Sequence, residues 1–261
     1  MIELQAHNLT WKASSSAFHL HVTDFRLKMG DRVALVGPSG AGKSSFLGLL
    51  SLALQPRAAD IFCIVSDEFG SEDLAALWRA GKQGQLASLR SNFIGFVPQT
   101  SALLPFLTAR ENIVLPLQVM GRPVSAGRLA ELIEKLDLQR CINQRPSTLS
   151  VGQRQRVAVA RALIAQPPFI LADEPTASVP PEQAQIIYNM LINAPNCAVV
   201  MITHDRESAR QAGFTITEAY VGQTKTEISR GGEAAGEGKF QLIFAFVPFV
   251  TVLIRKGVVL G

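Results

Sequence analysis

The segment GPSGAGKS, Gly37 to Ser44, constrains this chain more than any other. It fits the spacing G-x-x-x-x-G-K-[ST] at every fixed position. It stands between RVALV, which reads as a strand, and SFLGLLSLAL, which has the apolar density of a buried helix. Glycines at these places let the backbone curl until several N–H groups point at one spot. The start of a helix adds partial positive charge at that same spot. The result is a cradle for phosphate oxygens made from Gly37, Pro38, Ser39, Gly40, Ala41, Gly42, Lys43, Ser44 and Ser45. Lys43 would reach the outer phosphates, and the Ser44 hydroxyl would ligate Mg²⁺. A plain glycine turn would not need the lysine, the serine and both flanking elements together. The loop implies nucleoside-triphosphate binding and says nothing of what that binding drives.

Three further strand ends carry polar residues. FILADEP, Phe169 to Pro175, is an apolar run ending in two acids. A buried strand avoids charge, so Asp173 and Glu174 at its tip need a partner. Asp173 suits Mg²⁺, as the second half of a phosphate-loop site. Glu174, the next residue, faces elsewhere and can polarise an attacking water. CAVVMITHD ends at His204, which could touch the outermost phosphate and orient Glu174 or the water. NFIGFVPQ ends at Gln99, whose neutral amide can ligate Mg²⁺ or its water without adding charge. Each of these alone has a bland explanation in core packing or a solvated turn. Four strand ends carrying Lys/Ser, Gln, Asp/Glu and His make chance a poor account.

A fourth segment, TLSVGQRQRVAVARAL (Thr148 to Leu163), reads as a loop tipping into a helix. Ser150 is its N-cap candidate. Gly152 would let the backbone approach a ligand. Val151 is out of place beside it: in β or α backbone it costs little beyond its bulk, but at a positive φ, which glycine tolerates, a β-branched side chain is strained. Arg154 and Arg156 fit surface or subdomain contacts.

Composition supports a globular chain: 261 residues, 48% apolar and 18% charged. The net charge of +4 is mild and spread out, which argues for a solvated surface and against nucleic acid. Cys63, Cys141 and Cys197 are isolated and odd in number, and MIELQAHNLT does not read as a signal peptide, so a reducing cytosol is expected. No segment reaches the ~18 apolar residues that would span a membrane. The nearest, LIFAFVPFVTVLI (Leu242 to Ile254), contains Pro248 and precedes Arg255 and Lys256. It reads as a terminal strand or docking segment, with a membrane-surface contact as the alternative. IELQAHNLTW and FHLHVTDFRL are expected strands. Ser71 to Arg90 is expected to be helical. SAGRLAELIEKLDL has Leu129, Leu132, Ile133, Leu136 and Leu138 near helical spacing behind an N-cap candidate, Ser125. GGEAAGEGK, Gly231 to Lys239, is linker-like. Strands alternating with helices predict an α/β fold with a mainly parallel sheet.

Taken together, GPSGAGKS, VPQ, LSVGQRQRVAVARAL, FILADEP and ITHD, in this order and approximate spacing, resemble the nucleotide-binding subunit of an ABC transporter. The resemblance covers roughly residues 1–230 and leaves 231–261 as a linker and apolar tail of unassigned role. FVPQTSALLPFLTARENIVLPL is further similar to the ATPases of lipoprotein release and macrolide-type export. The resemblance implies a P-loop NTPase core, an N-terminal antiparallel β subdomain and an inserted α-helical subdomain at about residues 100–160. It implies ATP and Mg²⁺ as cofactors, membrane-spanning permease subunits as partners, and a place on the cytoplasmic face of the membrane. Two such subunits, identical or not, would sandwich two ATP molecules. Lys43, Ser44, Gln99, Asp173, Glu174 and His204 would act from one chain; Ser150, Val151, Gly152 and Gln153 would act on the ATP held by the other. The family stacks an aromatic residue on adenine, here Trp11, then Phe18, with Ala13 as the other register.

Three departures stand against the family pattern. Val151 replaces a usual glycine. Pro180, in TASVPPE, replaces a usual aspartate that helps couple the two sites. The tail beyond Gly231 matches nothing. The first two leave open a degenerate partner subunit that binds ATP and turns over poorly. A soluble ABC ATPase of DNA repair or translation is disfavoured by the single phosphate loop and the lack of sustained heptads.

Overall fold

The computed structural model describes residues 1–13, 18–68, 70–223 and 250–256. The chain opens with β1 (Ile2–Lys12) and β2 (His19–Lys28), an antiparallel pair. β3 (Arg32–Val36) leads through the phosphate loop into α1 (Lys43–Leu50). β4 (Ile61–Ser66) and β5 (Gly70–Asp73) add to the first sheet, giving the order β2-β1-β4-β5. α2 (Leu74–Arg79) and α3 (Gln83–Phe93) follow, then β6 (Ile94–Val97). α4 (Ala109–Val119), α5 (Ala126–Lys135), a short 3-10 turn at Pro146–Thr148 and α6 (Val151–Leu163) lie between β6 and β7 (Phe169–Asp173). α7 (Pro181–Ile192), β8 (Ala198–Ile202), α8 (Arg206–Gln211), β9 (Thr215–Gln223) and β10 (Val250–Lys256) complete the described chain. The second sheet has the order β10-β9-β3-β8-β7-β6. All its pairs are parallel except β10 with β9.

Alternation along the parallel strands divides the interior into two cores. Val33 and Leu35, Phe169 and Leu171, and Ala198, Val200 and Ile202 face one side, against α1 and the antiparallel sheet. Ala34, Ile170, Ala172, Val199 and Met201 face the other, against α4, α5, α6 and α7. Both faces are covered, which is why these strands read as unbroken apolar runs in the sequence. Phe46, Leu47, Leu49 and Leu50 of α1 are fully buried and anchor the helix that begins the phosphate loop's far side.

The helix starts carry their own signals. Thr108 and Glu111 form a reciprocal cap on α4, and the Ser125 hydroxyl accepts from the Arg128 N–H at the start of α5. Burial of Leu129, Leu132, Leu136 and Leu138 matches the expected apolar stripe.

Some expectations needed correction. The stretch expected to be helical from Ser71 to Arg90 starts as a strand and then holds two helices, α2 and α3. Gly70–Asp73 pairs with β4, and Asp73 then caps α2 through its side chain. Gly81, at φ +65°, separates α2 from α3. α1 stops at Leu50, short of the apolar run's end, and Leu52 takes a left-handed turn at φ +57°. Of the apolar tail, Val250–Ile254 falls within β10; residues 242–249 and the linker-like 231–239 lie outside the described residues. No helix among the described residues is long and apolar enough to cross a membrane.

Arg32 fastens the framework beneath the site. Its guanidinium donates to the carbonyls of Ile192 (2.8 Å), Ala194 (2.5 Å), Cys197 (2.6 Å) and Asp31 (3.0 Å). Those bonds satisfy carbonyls at the end of α7 and hold them to the start of β3. Arg32→Ala is expected to destabilise the chain by about 2 kcal/mol, measured by urea unfolding, and Arg32→Lys should recover only part of that loss.

Candidate functional site

The site lies at the carboxyl ends of β3, β6, β7 and β8, where ligands sit in open parallel sheets. The phosphate loop leaves β3 at Gly37, pressed against β9. A Cβ there would lie 2.5 Å from the backbone carbonyl oxygen of Ala219, so no other residue fits without moving a strand. Gly40 and Gly42 take φ of +78° and +79°, which bends the loop into a cup and starts α1 without a side-chain cap. Pro38, Ser39 and Gly40 are exposed, whereas Lys43 is buried. The Lys43 ammonium donates to the carbonyls of Gly37 (2.9 Å) and Pro38 (2.8 Å). Burial lowers its pKa, and the nearby charges of Glu174 and Asp173 pull the other way.

Asp173 ends β7 beside Ser44, whose hydroxyl bonds to its carboxylate. Its Oδ1 is buried with no hydrogen-bond partner among the described residues. Burial pushes its pKa up and the Glu174 charge adds to that; the Ser44 bond and the Lys43 charge oppose them. An orphaned carboxylate oxygen beside a hydroxyl is a donor set that suits a hard cation. No group of three or more His, Cys, Asp or Glu side chains that could hold a metal occurs among the described residues. A cation here would therefore need phosphate or water oxygens as further ligands.

Glu174 is the hub. Its Oε1 lies 2.8 Å from His204 Nε2, and its Oε2 accepts from Gln99 Nε2 at 3.1 Å. Side chains from the ends of three strands thus meet on one carboxylate. The Glu174 backbone sits at φ +46°, unusual for a residue with a Cβ, and its N–H donates to Ile202 of β8 at 3.0 Å. Strain of this kind persists where the surroundings over-determine it.

The structure brings Lys43, Ser44 and Asp173 together, and Gln99, Glu174 and His204 together. It does not join the Ser150–Gln153 segment to either group. That segment caps its own helix: the Ser150 oxygen accepts from the Gln153 N–H (3.2 Å), and Gln153 Oε1 accepts from the Ser150 N–H (2.8 Å). The N-cap role expected of Ser150 is thus met, and the Ser-x-x-Gln spacing adds a reciprocal partner, Gln153, expected only as a ligand contact. Gly152 is buried, and a Cβ there would meet Gln183 Oε1 of α7 at 2.0 Å. The concern over Val151 is not met. Val151 takes helical backbone as the first residue of α6 and leaves its side chain 48% exposed. Arg156 is a subdomain contact, buried and paired with Asp137 at 3.1 Å. Trp11 lies near the end of β1 and packs edge-on against Phe18, ring centres 6.4 Å apart.

Comparisons with known proteins agree with this geometry. The family model described as ABC transporter matches residues 20–177, more than half of the chain. The chain belongs to the ABC transporter family. It is 37% identical over 193 residues to the lipoprotein-releasing system ATP-binding protein LolD of Idiomarina loihiensis, spanning 72% of this chain and 80% of that one. It is 36% identical over 202 residues to the uncharacterized ABC transporter ATP-binding protein YvrO of Bacillus subtilis, spanning 76% and 82%. Among solved structures it is similar to the ATP-binding cassette MJ0796 in a dimeric post-hydrolysis state with ADP and Pi. The TM-score there is 0.67 at 33% identity, over 84% of this chain and 94% of that one. As a member of this family, the chain is an ATP-hydrolysing, nucleotide-binding subunit of a transporter.

Two outcomes follow from the site's electrostatics and backbone. With its folded pKa raised, Asp173 favours folding fully below the ordinary carboxylate range and loses that contribution as pH rises through the folded value. Asp173→Asn is therefore expected to stabilise the protein, free of nucleotide and divalent cations, at neutral pH. The gain should vanish in acid, read as the difference in urea midpoint across pH. Val151→Gly should cost no more than about 1 kcal/mol in unfolding free energy. A stabilised glycine variant would reveal strain at this position.

Proposed function

We propose that this chain hydrolyses ATP at the four strand ends and that two such nucleotide-binding subunits share two ATP molecules. Phosphate oxygens would take the loop N–H groups and the Lys43 ammonium, drawing that ammonium away from its two carbonyls. Ser44, Asp173 and the carbonyl oxygen of Gln99 would hold Mg²⁺, which when bound offsets charge on the phosphates. Gln99 is suited to this because its amide nitrogen is engaged by Glu174, leaving its oxygen as the remaining acceptor. Glu174 would accept a hydrogen bond from the attacking water, and His204 would hold the carboxylate in place. Ser150, Val151, Gly152 and Gln153 would face the ATP of the other subunit, and Trp11 is the candidate stacking partner for adenine.

The observation that carries this reading is the Glu174 carboxylate held by Gln99 and His204 beside the buried Lys43 and the half-buried Asp173. The lipoprotein-releasing relatives support permease subunits as partners; the chain would sit with them on the cytoplasmic face of a membrane. Residues 1–230 would act as the ATP-binding domain, with α4, α5 and α6 in its helical subdomain.

The test compares three proteins with the membrane partner present. Glu174→Gln should lower hydrolysis by about 100-fold or more while keeping nucleotide binding. Lys43→Ala should lose nucleotide binding itself, read with a fluorescent ATP analogue. A wild type that hydrolyses no faster than Glu174→Gln would make the chain a degenerate binding partner instead.

A further inference from the structure

The turn that carries Gln99 is strained. Ser101 and Ala102, adjacent and neither a glycine, sit at φ +60° and +44°. Each left-handed residue with a Cβ costs about 1–2 kcal/mol, so something must hold the turn in this shape. Local bonds do part of this. The Ser101 N–H donates to Pro98 at 3.2 Å and the Ala102 N–H to Thr100 at 2.7 Å. The Ser101 hydroxyl adds a bond to the Thr100 carbonyl at 2.6 Å. Further bonds come from α6. Arg161 donates through Nη2 to the Ser101 carbonyl and through Nη1 to the Ala102 carbonyl, both at 2.8 Å. Gln155, buried, donates to the Pro98 carbonyl at 3.2 Å. Gln99 is thus bracketed on both sides by bonds from one helix.

The same helix is fixed to the strand that leads into the turn. At Gly95 of β6 a Cβ would come within 2.3 Å of the Ala162 carbonyl oxygen, so α6 lies on the strand with no room for a side chain between them. The opposite end of α6 is the Ser150 cap. A helix of 13 residues spans about 20 Å. Gln99, which bonds Glu174 in its own site, and Ser150, which would face the ATP of the other subunit, therefore belong to one body.

We propose that Arg161 and Gln155 are positioning residues that fasten the Gln99 turn to α6, so that movement of the Ser150 end is carried to Gln99 and its bond with Glu174. This rests on the shared-ATP reading above. Both side chains act through backbone carbonyls of the turn. Arg161 provides the main constraint, because its planar fork spans two carbonyls at once, whereas a lysine ammonium would serve one.

Two measurements test it. The first needs no hydrolysis: amide exchange of the nucleotide-free protein. Arg161→Ala should speed exchange across residues 99–102 by about tenfold with α6 still protected. The second is steady-state kinetics with the membrane partner. Arg161→Ala should lower kcat about tenfold with KM for ATP within about twofold, and Arg161→Lys should recover part of kcat. Ser150→Ala and Gln99→Ala should combine non-multiplicatively in kcat, and become multiplicative once Arg161→Ala is added. Unchanged exchange at 99–102, kcat within about twofold of wild type, or multiplicative effects in both backgrounds would overturn the proposal. A wild type without hydrolysis would instead count against the ATPase reading, and the exchange result would still decide whether Arg161 holds the turn.

Discussion

The site depends on keeping two adjacent carboxylates ionisable at the rim of a buried sheet. Asp173 and Glu174 are consecutive, close to Lys43, and at the end of a strand whose other residues are fully buried. Burial works against the charge on Asp173. The structure resolves this by turning them apart. The left-handed backbone at Glu174 sends its carboxylate to His204 and Gln99, while Asp173 stays against Ser44 with one oxygen unsatisfied. One acid is thereby given protein partners, and the other keeps a buried oxygen without one among the described residues. The strained φ is the physical cost of that division.

The framework explains how such a division can persist. A sheet covered on both faces by packed side chains leaves little freedom at its strand ends. Phe169 and Leu171 face one core and Ile170 and Ala172 the other, so β7 cannot shift register without exposing both. The Glu174 N–H bond to β8 extends that register one residue past the strand, into the site itself.

Legibility in the sequence followed the range of the interactions. The phosphate loop was readable because its function depends on contiguous residues, and the buried strands were readable because burial on both faces leaves uniform apolar runs. The meeting of Gln99, Glu174 and His204 could be anticipated only as three strand ends on one edge; their hydrogen bonds depend on tertiary register. The strand at Gly70–Asp73 was missed because GSED has no β-branched or aromatic residue and is held by its pairing with β4 alone. Arg32 and Arg161 were missed for a related reason. Both act on carbonyls distant in sequence, and nothing in their local pattern marks them. The backbone at Val151 could not be chosen from sequence between helical and left-handed, because that depends on whether the helix has already begun there, as it has.

The cap at the start of α6 bears on how one segment can serve both folding and ligand contact. Ser150 uses its hydroxyl oxygen to accept from the Gln153 N–H, and Gln153 uses its carbonyl oxygen to accept from the Ser150 N–H. Both bonds consume acceptors. The Ser150 hydroxyl hydrogen and the Gln153 side-chain N–H groups remain as donors, at a helix start whose own dipole favours an anion. A phosphate arriving from outside would therefore not have to break the cap in order to be bound. Val151 sits between these donors with its side chain half in solvent, where it supplies bulk but no charge and no competing acceptor. On these grounds its effect on a phosphate brought to this helix start would be steric alone, which separates it from Pro180: a proline there offers no side-chain acceptor, and α7 begins without a side-chain cap.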